Sequence, residues 1–524
     1  MDTSRNDSNK SQPAVEGYRH QGRHRPGGAK SADRDRAHSL EEHNSPGQLI
    51  KPNNAARATH SSSSNHDTVG NKHVQASQDR PKLEKVNRQI LTLAIPAFGA
   101  LVAQPLLTTI DSAMVGHLGT TALAGLALAS TIITTAVGLF IFLAYSTTAL
   151  TSRAMGAGKP AEGLQSGINA IWLAALLGVA TTALLWAFGE AIIAWFEPTA
   201  AVHTQAHTYL RYASPGLIGM LVVLAATGTL RGVLDTRTPF IVATAGAGVN
   251  AALNAVLIYG LNWGIAGSAL GTAVTQTLMG LVLTAVVVAR TRVYQLRYRF
   301  NLGGIWNAAM HGSALVVRTI SLRLAFLATL WAVTATGTAA LAAHQATLTV
   351  WNLAADALDA LAIAAQALIG HALGTANTAY VRALLRRIIR WGVASGGIIG
   401  LLMIAASPFL PWIFGTDPQM RKLATAALIV AGIFQAIAGY VFMLDGILMG
   451  AGDNRYLAGA GLINIAVYLP LLWLIVHFMT PATDFSAQRL TLVMIWVSLT
   501  AVFMSVRALT TGWRLRSDTW MHLQ

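Results

Sequence analysis

The chain has 524 residues, of which 53% are apolar and only 11% are charged, and its mean hydropathy is +0.48. Soluble domains contain about 25% charged residues, so this composition excludes an ordinary soluble protein and indicates one that crosses the membrane many times. The formal net charge of +15 does not predict a nucleic-acid partner, because the arginines lie in the breaks between apolar segments, where they orient helices in the membrane. Cysteine is absent, which excludes disulfides and thiolate metal sites.

Residues 1–85 differ in composition from the rest of the chain. Ser, Asn, His, Gly and charges of both signs dominate there, without a hydrophobic period. Such a segment buries too little apolar surface to offset its ordering entropy, so we predict a disordered polar tail in the cytoplasm. It contains no apolar core of a signal peptide, so we do not expect it to be cleaved.

From Leu91 onward, apolar runs alternate with short charged breaks. Each run is long enough to cross about 30 Å of hydrocarbon as a helix. We therefore predict an all-α polytopic membrane protein with twelve transmembrane helices. They lie at roughly 89–117, 121–148, 165–188, 206–230, 238–260, 265–289, 310–335, 339–370, 384–407, 423–448, 456–478 and 490–511.

The placement of Lys and Arg predicts the orientation of these helices. Alternate breaks are rich in arginine, as at residues 290–299 and 382–390, whereas the opposite breaks at 117–120 and 335–338 contain none. The positive-inside rule then places both termini in the cytoplasm. We expect a multi-pass protein of the plasma membrane.

An internal repeat divides the chain into two halves. Residues 119–131 and 337–349 are identical at six of thirteen positions, and residues 228–237 share both glycines, the Leu, the Asp and the Arg with residues 446–455, at the same offset along the chain. Because six helices is an even number, both halves enter the membrane in the same sense. We predict two parallel six-helix lobes, an N-terminal lobe at 86–300 and a C-terminal lobe at 301–515, with a short cytoplasmic tail at 516–524.

Three polar residues are predicted to lie at one depth in the first half. Asp111 is near the outer end of helix 1, and Asn250 and Asn254 share one face of helix 5. Counting about 1.5 Å per residue puts Asp111 and Asn254 at similar depth. An intramembrane acid is costly and marks a functional site by default, so these residues are candidates to bind a proton or a small cation. The alternatives are a neutral, hydrogen-bonded Asp and asparagines that join helices.

The second half contains more charge within its apolar runs. Arg318 and Arg323 lie in helix 7, and Asp356 and Asp359 lie in helix 8. Counted from the turn between the two helices, Arg318 and Asp356 are equally deep, so we predict a structural ion pair between them. Asp445, close to the end of helix 10, is predicted to be interfacial.

The remaining intramembrane polar residues are candidates to line a substrate cavity. They are Gln104, Gln276, His344, Gln345 and Gln366. The sequence has no Ser-His-Asp set, no His-x-x-x-His pair and no phosphate-binding glycine loop, so we do not expect an enzyme.

Several motifs together resemble the multidrug and toxic compound extrusion (MATE) family. They are Pro96 to Asp111 with the following SAMVGHLG, the Asn250 segment NAALNAVLIYGLNWGIAGSALGTA, and Ala342-AHQ. Arg318-TISLR and Asp359-ALAIAAQALIG resemble its DinF branch. The resemblance implies a twelve-helix transporter of two lobes that works by alternating access. Members export organic, often cationic, compounds in exchange for H⁺ or Na⁺.

The resemblance also assigns roles to single residues. The family's helix-1 carboxylate falls on Asp111 and its helix-5 asparagine falls on Asn250, but many members have a carboxylate where this chain has Asn254. Because Asp111 is then the only carboxylate at the site, we favour H⁺ over Na⁺ as the coupling ion and expect no cofactor or resident metal. Protonation would bend helix 1 at a hinge, Pro96.

We therefore predict a secondary active exporter of organic, amphipathic cations, a monomer whose partners are these small molecules and the lipid bilayer. The alternative is a flippase for a lipid-linked precursor, whose cavity would need cationic side chains for phosphates. Arg318 and Arg323 would supply them if Asp356 and Asp359 do not neutralise them.

Overall fold

A computed structural model of the chain describes residues 70–294, 296, 298, 300–479 and 484–521, with side chains from residue 85 onward. Most of the predicted tail at 1–85 lies outside these described residues. Apart from short π- and 3₁₀-helical segments, the regular structure of the described part consists of α-helices. These are α1 (Gly70–Gly116), α2 (Thr120–Leu139), α3 (Phe142–Gly156), α4 (Pro160–Ala194), α5 (Ala200–Ala213), α6 (Gly216–Gly232), α7 (Arg237–Asn254), α8 (Gly264–Thr291), α9 (Leu302–Thr334), α10 (Thr338–Gly374), α11 (Thr378–Ala406), α12 (Pro411–Phe414), α13 (Pro418–Ile433), α14 (Gln435–Gly450), α15 (Asn454–Met479), α16 (Phe485–Val497) and α17 (Met504–Arg516).

The helices account for twelve membrane spans. Ten helical stretches of the described residues are long and apolar enough to cross a bilayer, and two bent pairs bring the number to twelve. The bent pairs are α5–α6, with an angle of 53°, and α13–α14, with an angle of 52°. Pro215 lies in the first break and has no amide hydrogen to continue the helix. The prediction of an all-α protein with twelve transmembrane helices is confirmed.

The offset between the two sequence repeats recurs in the backbone. Gly119 and Gly337, which precede α2 and α10, have φ of 120° and 126°, a region that glycine adopts without strain. The positive-φ residues Leu234 and Gly452 are another pair at this offset, with φ of 62° and 73°. The bent helix pairs begin at Ala200 and Pro418, which are 218 residues apart, as are Gly119 and Gly337. The halves are therefore repeats in backbone geometry, although their lobe boundaries stay a prediction.

Equivalent positions of the two halves meet at one point. Ser152 of α3 and Gly370 of α10 are equivalent by the repeat, and a Cβ on Gly370 would collide with the Ser152 hydroxyl. A Cβ on Gly156 would collide with the carbonyl of His371, and one on Gly374 with the equivalent carbonyl of Arg153. Exchanged contacts of this kind place a two-fold axis between Ser152 and Gly370. The equivalent helices α3 and α10 both end at this contact, at Gly156 and Gly374. The axis is therefore roughly parallel to the helices, and the two lobes run in the same direction.

The halves pack together at one end of the bundle, which we call the arginine-rich end because Arg153, Arg231 and Arg290 lie in the last turns of their helices there. A buried apolar cluster joins residues of α1 and α3 to residues of α10 and α14. Several hydrogen bonds cross between the halves, among them those from Gln366 Nε2 to the Tyr145 carbonyl (2.6 Å) and from Arg153 Nη1 to the Ala451 carbonyl (2.9 Å). The halves are thus closed against each other at this end.

Candidate functional site: a buried carboxylate and a charged cavity

Asp111 lies at the meeting point of four helices. Its side chain on α1 is buried, with 4% of its surface exposed. Its Oδ1 accepts hydrogen bonds from Asn254 Nδ2 of α7 (2.9 Å) and from the Ser268 hydroxyl of α8. Its Oδ2 accepts a hydrogen bond from the Tyr209 hydroxyl of α5 at 3.2 Å. Three neutral donors therefore converge on one carboxylate.

Asn250 belongs to the same network. Its Oδ1 accepts from Asn254 Nδ2 at 3.3 Å, and its Nδ2 donates to Thr272 Oγ1 at 3.2 Å. The structure thus brings together the three residues that the sequence placed at one depth. Their role in ion coupling stays a prediction. Tyr209 and Ser268 were missed, because nothing in the sequence shows which faces of α5 and α8 turn towards helix 1.

Asn254 contributes one polar atom that is not satisfied. Its Oδ1 is buried and has no hydrogen-bond partner among the described residues. It points at Gly271 of α8, where a Cβ would collide with it. Asn254 is also the last residue of α7, and a π-helical turn, Ala255–Gly260, follows it directly. Such turns are frequent at functional sites.

The charge of Asp111 is not balanced by a neighbouring cation. In the described part of the chain, no Lys, Arg or His forms an ion pair with Asp111. The same residues contain no group of three or more His, Cys, Asp or Glu side chains arranged to hold a metal ion. The site can therefore stabilise a carboxylate through hydrogen bonds or keep it neutral by binding a proton.

A second polar site is a cavity of about 460 Å³ between the halves. Its aromatic lining consists of Tyr145 from the first half and Phe326, Trp351 and Phe442 from the second. Charged residues of both signs also line it: Arg318, Arg323, Asp356, Asp359, Asp445 and Arg507. Gln366, whose hydrogen bond to Tyr145 joins the halves, lies one turn of α10 beyond the lining residue Ala362.

The predicted ion pair between Arg318 and Asp356 is wrong. Arg318 Nη2 instead contacts Asp445 Oδ2 at 2.6 Å, and Arg507 forms an ion pair with the same oxygen. Asp445 is buried within the protein, and its predicted position near the membrane interface stays a prediction. Equal depth on two helices does not determine which faces meet, and α14 brings Asp445 between the two arginines. This triad of two cations and one anion has a formal charge of +1.

The other charged residues of the cavity are distributed differently from the prediction. Asp359 accepts a hydrogen bond at 3.2 Å from the hydroxyl of Tyr145, a residue of the first half. It interacts electrostatically with Arg231 of the first half and with Arg318 of the second. Asp356 and Arg323 form no ion pair in the part of the chain that the structure describes. The predicted neutralisation of Arg323 by an acid of helix 8 is therefore corrected.

The five candidate cavity residues do not line this cavity. Gln104 and Gln345 are exposed on their helices, and Gln276 is buried in α8. His344 packs against Trp496, with ring centroids 5.5 Å apart, and Gln366 is used between the halves. Residue type and depth identified them as polar and intramembrane but could not show their direction.

Pro96 lies within α1, which continues to Gly116 without a break. The neighbouring Ala97 is buried against Ala360 and Ile363 of α10 in the second half. One helix thus connects Asp111 to the contact between the halves. The role of Pro96 as a hinge stays a prediction.

Two repeated halves of membrane-spanning helices, a buried carboxylate and a cavity between the halves define a class of protein, the helical membrane transporters. The MatE family model matches residues 96–256 and 314–475, two stretches whose first residues are equivalent by the repeat. The chain therefore belongs to the MatE family of multidrug and toxic compound transporters. The prediction of a transporter and not an enzyme is confirmed.

Relatives match over most of the chain. Protein DETOXIFICATION 44, chloroplastic, from Arabidopsis thaliana is 27% identical over 465 residues, 86% of either chain. DNA damage-inducible protein F from Escherichia coli is 26% identical over 468 residues, 84% of this chain and 95% of that protein. The structure of the Vibrio cholerae MATE transporter VcmN in the bent form has a TM-score of 0.75 at 19% identity, covering 84% of this chain and 99% of that one. This last likeness supports the fold alone.

Proposed function

We propose that the chain is a secondary active transporter that exports organic compounds in exchange for protons, with Asp111 as the coupling residue. The observation that carries the proposal is the burial of Asp111 among neutral donors, without an ion-pair partner in the described part of the chain to fix its charge. A buried carboxylate in this setting exchanges a proton at moderate cost when its access to water changes.

The hydrogen bonds suggest how protonation is sensed. The deprotonated carboxylate accepts from Asn254, Ser268 and Tyr209. A protonated Asp111 must donate one hydrogen bond and thus needs an acceptor. Rotation of the Asn254 amide by half a turn would offer Oδ1, which has no partner among the described residues in the present arrangement. Proton binding would therefore rearrange the contact between α1 and α7.

Proton coupling is favoured over sodium coupling by the same residues. Sodium prefers several oxygen ligands with negative charge, as do other hard cations. Among the described residues, the hydrogen-bonded cluster contains one carboxylate, and its amide neighbour Asn254 turns a nitrogen towards it. A proton needs only one carboxylate oxygen and one acceptor.

Alternating access would follow from the position of α1. Asp111 lies near one end of this helix, and Ala97 packs against Ala360 and Ile363 of the second half. A bend at Pro96, where the helix lacks one backbone hydrogen bond, would alter that contact when Asp111 binds a proton. The halves would then separate at the arginine-rich end and close at the other.

The test is transport by the purified protein in liposomes with imposed pH or sodium gradients, using a fluorescent organic cation as the substrate. We expect a pH gradient to drive export and Asp111→Asn to reduce it by at least 100-fold. Thr329→Val is the matched control, because Thr329 occupies the equivalent position of the second half, and it should retain export within about twofold. Export by Asp111→Asn that still follows the pH gradient would refute the role of Asp111.

The organic cargo is proposed to bind in the charged cavity. Its aromatic side chains suit an amphipathic molecule, and the carboxylate of Asp356, which lacks an ion-pair partner in the described part, suits a positive group. Asp356→Asn should raise the KM for an organic cation and leave the dependence on the pH gradient unchanged. An unchanged KM would exclude Asp356 from the binding site.

A second candidate function, a flippase for a lipid-linked precursor, is favoured by the arginines of the same cavity. Arg323 has no ion pair within the described residues, and the triad around Asp445 carries a net positive charge. A structurally similar MOP superfamily transporter from Pyrococcus furiosus, with a TM-score of 0.74, has a binding pocket described as of reverse polarity. A flippase would translocate a fluorescent lipid-linked phosphate without a pH gradient, whereas an exporter would not.

A further inference from the structure

The groove between α1 and the start of α7 is a second concave site, separate from the cavity between the halves. Its volume is about 550 Å³, and its lining includes Arg88, Leu91, Ile95 and Pro96 of α1 and Arg237 of α7. We call it the α1–α7 groove. It lies on the outside of the bundle at the arginine-rich end, and neither Asp111 nor the charged cavity is part of it.

Charge and hydrophobicity are separated along both helices of the groove. On α1, Arg88 is followed by Leu91 and Ile95, three and seven residues further along the same face. On α7, Arg237 is followed four residues later by Ile241. Ile95 and Ile241 are 65% and 62% exposed. Arg237 begins α7 and Arg88 lies near the start of the apolar span of α1, Lys85–Gly116, and each is followed by aliphatic side chains about one to two turns deeper.

The two guanidinium groups are available to a ligand. Neither Arg88 nor Arg237 uses its side chain in a hydrogen bond or an ion pair within the described residues. The acid closest to Arg237 in sequence, Asp235, already accepts hydrogen bonds from Thr238 and forms an ion pair with Arg290. Burial alone would raise the pKa of Asp235, but the bonds from Thr238 and the charge of Arg290 hold this pKa below its usual value.

We propose that the α1–α7 groove binds one anionic phospholipid, with its phosphate between Arg88 and Arg237 and an acyl chain along Leu91, Ile95 and Pro96. Guanidinium groups bind phosphate through paired hydrogen bonds, and basic pockets between transmembrane helices hold anionic headgroups. The apolar wall continues from the arginines towards the membrane centre. This continuity selects a lipid over a free phosphate ion, which would use only the polar end.

The second half provides an internal comparison. Arg455 is the equivalent of Arg237, but Trp306 stands where the first half has Arg88, and Ala314 replaces Pro96. Both Arg455 and Trp306 are exposed. The second half therefore keeps the arginine equivalent to Arg237 but has no cation at the position equivalent to Arg88. If Arg237 only extended to the membrane interface without binding a specific lipid, substituting Arg237 or Arg455 should change lipid binding equally.

The test uses the purified full-length protein and native mass spectrometry with phosphatidylglycerol or phosphatidylcholine added in known ratios. We expect the wild-type protein to retain one phosphatidylglycerol in preference to phosphatidylcholine. Arg88→Gln with Arg237→Gln should weaken this binding roughly ten- to thirtyfold, since each basic residue near anionic lipid contributes about a factor of five. Arg455→Gln, the matched control, should bind within twofold of the wild type.

Three outcomes would overturn the proposal. They are equal retention of the two lipids by the wild-type protein, unchanged binding by the double variant, and an equal loss in Arg455→Gln. The first comparison needs no substitution, so it decides the question even if the double variant does not fold. Inorganic phosphate is added in a parallel arm. If phosphate alone displaces phosphatidylglycerol at millimolar concentration, the groove recognises the anion only and the acyl-chain contact is wrong.

Discussion

Two buried carboxylates, one in each half, are held in opposite ways. Asp111 in the first half accepts hydrogen bonds from three neutral groups, whereas Asp445 in the second half forms ion pairs with two arginines. A carboxylate between two guanidinium groups is fixed in its charged form, since removing that charge would leave two buried cations unpaired. A carboxylate among neutral donors can change its charge. The surroundings of Asp111 therefore suit proton exchange, whereas those of Asp445 suit a permanent structural ion pair.

The repeat sharpens this contrast. The position equivalent to Asp111 is Thr329, and the positions equivalent to Asn250 and Asn254 are Tyr468 and Leu472. Thr329 and Tyr468 share a hydrogen bond of 2.6 Å, so the second half keeps a polar contact there without a charge. The two halves repeat the same order of helices but differ in chemistry at this place, and the residues equivalent to the π-helical turn after Asn254 continue the α-helix α15. We infer that ion coupling is confined to the first half.

The largest effect on stability is expected from Asp445→Ala. Removing this carboxylate leaves Arg318 and Arg507 buried and without their shared partner, which costs about 3–5 kcal/mol of unfolding free energy. Thermal unfolding of the detergent-solubilised protein measures the change. Asp111→Asn, which keeps neutral hydrogen-bonding groups in place, should lose about 1–2 kcal/mol. Equal losses in the two variants would remove the distinction between a fixed and an exchangeable carboxylate.

Gly156→Ala and Gly374→Ala test the symmetry of the contact between the halves. Each added methyl group would collide with a backbone carbonyl of the opposite half, at His371 and Arg153 respectively. We expect each substitution to destabilise the closed arrangement by about 1–3 kcal/mol, and the two effects to agree within about 0.5 kcal/mol. Gly248→Ala is the control, because a Cβ at that position would meet no described atom within 4 Å beyond its own turn of helix. Cysteine crosslinking between the halves would report the population of the closed state, and a change confined to one variant would contradict the two-fold axis.

Asn254→Asp tests whether the amide keeps sodium out of the first half. The substitution would place a second carboxylate beside Asp111 and supply the negative oxygen that a sodium site requires. We expect export by this variant to gain a dependence on the sodium gradient, while Leu472→Asn, at the equivalent position of the second half, gains none. If the export rate of both variants is independent of the sodium gradient, the residue at position 254 does not determine which ion is coupled.

The smallest effect is expected from Thr329→Val. This change removes the hydrogen bond to Tyr468 and leaves the shape of the side chain intact, so the expected loss is about 1 kcal/mol. The rate of export per pH unit of gradient should stay the same. A loss of pH dependence in liposomes would show that both halves take part in coupling.

Sequence patterns predict the twelve spans, the repeat and the common level of Asp111 and Asn254, but not the bends between α5 and α6 and between α13 and α14. Apolar runs and arginine-rich breaks define spans, and counting residues along them placed Asp111 beside Asn254. The sequence did not predict which side chains contact each other between helices. Tyr209 and Ser268 belong to helices whose rotation the sequence does not reveal, and Arg318 was assigned to Asp356 because depth was known but direction was not. Depth is a property of one helix, whereas a contact depends on the packing of two.

The two-fold axis between Ser152 and Gly370 constrains how the halves could diverge after duplication. At the axis, a residue touches its own counterpart, so any change in one half alters the surroundings of the same position in the other. A larger side chain at either site would need a compensating change across the axis. Asp111 and Thr329 lie away from it, within separate helix bundles. At those positions a side chain can differ between the halves without altering the contact at the axis. Asp111 can therefore be a carboxylate in one half while Thr329 is neutral in the other.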